Sequence, residues 1–99
     1  MINLRDISIK LIETDEQLAE AMTKLFPLEV EYTKRKNDLY LRSGMATSPL
    51  KEAESMNILI QEEISDKYQE AKLLVKILYS RRDTYMEISR NLRSLAFEQ

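Results

Sequence analysis

From Leu50 to Gln99 the chain contains neither glycine nor proline, and before that stretch only Pro27, Gly44 and Pro49 interrupt it. These are the two residue types that most disfavour a helix interior, glycine through its backbone freedom and proline through its missing N–H. A chain almost without them, 43% apolar and 32% charged, has the composition of long helices. The order of its apolar residues agrees. Leu4, Leu11, Leu18, Leu25, Tyr32 and Leu39 recur every seven residues, and Ile7, Thr14, Ala21, Leu28, Arg35 and Arg42 follow each by three. That spacing keeps one stripe on one helix face, as in a coiled coil.

The punctuation lies in RSGMATSPL, residues 42–50. Gly44 is suited to the left-handed conformation that ends many helices. Ser48 suits an N-cap and Pro49 the first helical position, where its missing N–H costs nothing. The sequence therefore predicts an all-α helical hairpin as a single domain. Its first helix covers about 4–42, its loop 43–48, and its second helix about 49–97. Asn3, with Asp6 three residues on, is placed to cap the first helix; a short extended arm over residues 2–12 is the competing reading. Thr14 with Gln17 spells a second, later capping box. Pro27 falls inside the first helix and should kink it near residues 23–27.

The second seam reads Leu50, Ala53, Asn57, Ile60, Ile64, Lys67, Ala71, Leu74, Leu78, Arg81, Tyr85, Ile88, Leu92 and Leu95. Folding back at the loop then sets Tyr32 against Ile60, Leu18 against Leu74, and Arg35 against Asn57. Seam residue Arg81 needs an acidic partner, Asp6 or Glu13. Two helices cannot bury the apolar residues left off the seam. Met22, Phe26, Met56, Leu59, Leu73, Ile77, Leu92, Leu95 and Phe97 are the candidate oligomer interface, since full burial of such a side chain contributes about 1.5–3 kcal/mol. The expected assembly is a four-helix-bundle dimer or a larger oligomer. A three-helix monomer, bent at Ser80–Asp83, is the alternative.

Several chemistries are excluded by composition. The chain has no Cys and no His, so it has no thiolate or disulfide, no imidazole base or metal ligand, and no Ser-His or Cys-His nucleophile. No apolar run approaches the roughly 20 residues of a membrane span, and the N-terminus lacks the pattern of a signal peptide. The expectation is a cytoplasmic protein with no membrane partner and no cofactor. The net charge of −2 averages acidic blocks at 13–31 and 43–70 with basic blocks at 32–42 and 71–99.

Two constellations point toward function. Lys34, Arg35, Lys36, Arg82, Arg90 and Arg93 are the candidate contacts for nucleic acid or another acidic partner. Cations near a helix C-terminus also have a purely structural use, opposing the macrodipole. Glu62, Asp66 and Glu70 recur every four residues on one helix face, a spacing able to hold Mg²⁺. The run EEISD, residues 62–66, resembles the first half of the metal motif of all-α MazG-like nucleotide pyrophosphohydrolases. The second half of that motif is missing, because Asp83 and Glu87 stand four apart rather than three.

The layout, together with Arg82, Tyr85, Ser89, Asn91, Leu92 and Arg93 in the final turns, resembles small helical-hairpin proteins of tailed phages and prophages of Gram-positive bacteria. That resemblance implies a role beside recombination, single-strand annealing or replication, and no catalysis. The resulting expectation is a non-enzymatic, oligomeric accessory or adaptor protein. It would bind itself and another protein, with nucleic acid as a further partner. The alternatives are a single-stranded nucleic-acid binder working through basic helix ends, and a Mg²⁺-dependent nucleotide pyrophosphohydrolase.

Overall fold

A computed structural model describes residues 3–98, with side chains for residues 3–96. It is all-helical, with no strand among the described residues. Helix α1 covers Leu4–Arg42, α2 covers Ser48–Leu59 and α3 covers Glu63–Glu98. The first helix has the predicted bounds. Asn3 caps it, its side-chain oxygen accepting the Asp6 N–H at 3.0 Å, so the extended arm is not formed. Thr14 does not cap a later start; its hydroxyl donates to the Lys10 carbonyl one turn back. The helix continues through Pro27.

The second arm differs from its prediction. It is two helices, and the interruption lies at residues 60–62 rather than at Ser80–Asp83. Gln61 and Glu62 donate to the Ile58 and Leu59 carbonyls, each three residues back, and the four-residue ladder stops there. No glycine, proline or positive φ marks the place. The loop also differs in detail. Thr47, in an extended conformation, stands at the N-cap of α2 without a side-chain cap bond, so Ser48 is already helical. Gly44 does not adopt a positive φ.

Contacts divide the chain into two compact units. One joins the chain up to Met22 with the chain from Leu74 onward; the other is Thr23–Leu73.

In the first unit α1 and α3 run antiparallel. Ile7, Thr14, Leu18 and Ala21 are buried on α1, and Val75, Leu78 and Ser89 on α3. The α1 stripe is the predicted one. The α3 stripe shares Leu78, Tyr85 and Leu92 with the predicted seam but alternates them with Val75, Arg82 and Ser89 instead of Leu74, Arg81 and Ile88. A heptad phase carried through an unbroken helix from Leu50 cannot survive the interruption, because α3 starts afresh at Glu63.

In the second unit part of α1, α2 and the start of α3 pack together. Leu59 is fully buried and Ser55 and Ser65 nearly so, while seam candidate Ile60 is 66% exposed. Tyr32 stacks on Tyr68 with ring centroids 4.4 Å apart, and Arg35 meets Glu62. Folding about the loop predicts Ile60 and Asn57 at those places, so the observed register is shifted by five to eight residues along the second arm.

Leu59→Ala should lower the unfolding free energy by about 2–5 kcal/mol. Ile60→Ala should change it by less than about 1 kcal/mol. Urea midpoints at one protein concentration would compare them, and equal effects would contradict this packing.

Candidate functional site

A bidentate ion pair joins Arg35 of α1 to Glu62, in the interruption between α2 and α3. Arg35 sits where the α1 stripe would carry an apolar residue, and its side chain is 38% exposed. Its Nε and Nη2 donate to the two carboxylate oxygens of Glu62 at 2.7 and 2.8 Å. Its Nη1 donates to Asp38 at 3.2 Å. Glu62 is the last residue of the interruption, and its carbonyl accepts the Ser65 N–H in the first turn of α3. The paired guanidinium holds the Glu62 carboxyl below its ordinary value, the hydrogen bond outweighing partial desolvation. Arg35 is pushed up by the same bond.

Three of the other five basic candidates also have a carboxylate neighbour, two of them more loosely. Lys36 lies 4.0 Å from Glu52, Arg82 donates to Asp15 at 2.8 Å, and Arg90 lies 3.6 Å from Glu87. Only Lys34 and Arg93 make no ion pair among the described residues. Arg81, assigned to the seam beside Asp6 or Glu13, is exposed, and its neighbour Arg82 makes the cross-helix pair instead. The α3 phase decides between them: Arg82 stands with Val75 and Ser89 on the face that meets α1. The candidates therefore do not converge on one basic patch.

The acidic run is equally divided. Both oxygens of Glu62 are held by Arg35, whereas Asp66 and Glu70 are exposed. Among the described residues no three carboxylates gather where a metal ion would need them.

The apolar candidates are the ones that remain accessible. Met22, Phe26, Met56, Leu73, Ile77 and Leu95 are exposed, Phe26 by 68%. Met22 Sδ accepts a hydrogen bond from the Tyr79 hydroxyl at 3.7 Å. Leu92 is half-buried, and Phe97 lies outside the described side chains. Leu59 is a correction: it is 0% exposed, enclosed within the Thr23–Leu73 unit, and cannot meet a second molecule.

Two small grooves flank these elements. One of 240 Å³ is lined by Lys36, Asn37, Tyr40, Glu52 and Ser55. The other, of 150 Å³, is lined by Leu11, Met86, Ser89, Arg90 and Arg93. Both are smaller than the roughly 300–1,000 Å³ of typical small-molecule sites. No helix of the described residues is long and apolar enough to cross a membrane. No protein-family model matches the chain, and neither does any curated protein or solved structure.

The Arg35–Glu62 pair should give stability a signature in acid. The native carboxyl keeps its charge to lower pH than the unfolded one, so the contribution is complete above about 4.5 and disappears as pH falls through the depressed native value. In urea titrations, Glu62→Gln should destabilise the protein at pH 7, with the gap to the parent chain closing at strongly acid pH. A gap independent of pH would refute the assignment.

Proposed function

We propose that this chain is a non-enzymatic helical adaptor that binds protein partners, itself included, through its exposed apolar faces. The observation that carries this reading is the balance of apolar side chains. Among the described residues six hydrophobic residues form the buried core, and sixteen large ones are exposed. Scattered exposed leucines are ordinary, but contiguous apolar stripes on helices mark interaction surfaces. Phe26 and Val30, one turn apart on α1, are an example within the Thr23–Leu73 unit.

The resemblance to phage and prophage hairpins suggests a setting beside DNA recombination or replication. Protein contact is the favoured mode there, because four of the six basic candidates already have carboxylate partners. A phosphate backbone would have to displace those carboxylates. Hydrolysis of nucleotides is disfavoured in the same way by the occupied Glu62 carboxylate.

Two measurements test this. A labelled single-stranded oligonucleotide should show no anisotropy change with the purified protein at low salt, where phosphate contacts are strongest. Salt-sensitive binding there would replace the adaptor with a nucleic-acid binder. In affinity capture from phage-bearing cells, the double variant Phe26→Asp, Val30→Asp should lose partners that the parent chain retains, with helix content unchanged.

A further inference from the structure

The groove of 150 Å³ between α1 and α3 combines apolar Leu11 and Met86 with Ser89, Arg90 and Arg93, and no carboxylate lines it. All five residues belong to the unit that joins the chain up to Met22 with the chain from Leu74 onward. Ser89, Arg90 and Arg93 follow Met86 by three, four and seven residues, so the four share one side of α3.

The hydroxyl of Ser89 is left over by the fold. Buried hydroxyls on the other helices are satisfied one turn back, Thr14 by the Lys10 carbonyl and Ser55 by the Lys51 carbonyl. Exposed Ser8 and Thr84 bond in the same way. Ser89 is only 8% exposed, yet its hydroxyl has no hydrogen-bond partner among the described residues. No fully enclosed side-chain oxygen there lacks a partner, so the Ser89 oxygen is reachable, and the opening that Ser89 lines is this groove. Ser65 is buried to a similar degree but lines neither groove. What sets Ser89 apart is the pair of guanidiniums beside it.

Those two charges are poorly answered within the chain. Arg90 and Arg93 stand three residues apart, where like charges repel. Arg93 makes no ion pair among the described residues. The carboxylate beside Arg90 belongs to Glu87, which is 64% exposed and 3.6 Å away, too far for a hydrogen bond.

We propose that this groove binds a single phosphate monoester group, held by Arg90, Arg93 and the Ser89 hydroxyl. The site is independent of the adaptor reading, which rests on apolar faces elsewhere. A phosphate monoester carries about −1.5 to −2 charges at neutral pH and three free oxygens. Two guanidinium forks answer the charge and donate to its oxygens in pairs, and the hydroxyl donates to the oxygen nearest the helix. The groove is below the size of sites that enclose a whole small molecule, so it takes the phosphate and leaves the rest of the ligand outside. A phosphodiester has one charge and two free oxygens and matches the three donors less well.

NMR titration of the full chain tests this at about pH 7.5, above the second phosphate pKa, with ionic strength held constant by chloride. Inorganic phosphate should shift the Ser89, Arg90 and Arg93 signals saturably in the millimolar range. Dimethyl phosphate should bind at least about tenfold more weakly, the loss of a charge-assisted hydrogen bond. Arg90→Gln with Arg93→Gln should abolish the response, and Ser89→Ala should weaken it several-fold, with circular dichroism showing each variant folded. N-acetyl-O-phosphoserine amide separates the sources: tighter binding than inorganic phosphate indicates a group carried on a protein, and weaker binding a free ion. The site is refuted by the absence of saturable shifts, by shifts that survive the double arginine variant or Ser89→Ala unchanged, or by dimethyl phosphate binding as well as inorganic phosphate. None of these results bears on capture of a protein through the apolar faces.

Discussion

Arg35 holds the second arm at the point where its two helices part. The residues around the interruption are ordinary helix formers, and Ile60 itself has helical dihedral angles. Nothing local requires the ladder to stop there. What distinguishes the place is tertiary: Leu59 is fully enclosed, and three residues later Glu62 is gripped at both oxygens by a guanidinium from α1. A bidentate arginine–carboxylate contact is directional as well as charged, so it specifies where Glu62 must be. A continuous helix would carry Leu59 and Glu62 rigidly, about 60° apart around the axis, with the α3 phase fixed by that of α2. The interruption means that α3 does not inherit the phase of α2, and Val75 and Ser89 are the residues buried on its α1-facing side.

This explains which parts of the fold were legible in the sequence. The first helix was readable because every signal in it is local. Asn3 caps it with its own side chain, the stripe from Ile7 to Leu39 keeps one phase, and a single proline does not end it. The second arm was not, because the event that divides it has no local spelling. Arg35 on an apolar stripe was set against Asn57, a polar neighbour, while the need for an acidic partner was assigned to Arg81. Sequence spacing alone could not choose Glu62, since the register about the loop was set by assuming one helix. The same assumption moved the α3 seam by one residue at alternate positions and exchanged the roles of Arg81 and Arg82. Of the apolar candidates, six are exposed and Leu59 is enclosed. Four of the basic candidates have carboxylate neighbours across the fold or one turn away, which sequence spacing did not assign.

The functional reading follows from the same distribution of charge. Cations that looked like a handle for an acidic partner are largely consumed internally: Arg35 and Arg82 across helices, Lys36 toward α2, and Arg90 within α3. Such pairs contribute little individually when exposed. The two cross-helix pairs, Arg35 with Glu62 and Arg82 with Asp15, hold their carboxylates at hydrogen-bond distance, whereas those of Lys36 and Arg90 are looser. Sixteen large apolar side chains are exposed among the described residues.

The hydroxyls along the helix contacts carry a different implication. Thr14 and Ser55, both buried, donate to carbonyls of their own helices at 2.7 Å. Their polarity is satisfied before any neighbour arrives, so they fit into a dry contact without demanding a particular residue opposite. Sliding one helix past another by a whole heptad would leave these atoms equally content. The alignment of the arms is therefore written in very few side chains, chiefly Arg35 with Glu62 and Arg82 with Asp15. Exchanging Arg35 for leucine would leave the helices of the Thr23–Leu73 unit apolar enough to pack and remove the directional contact that tells them where to stop.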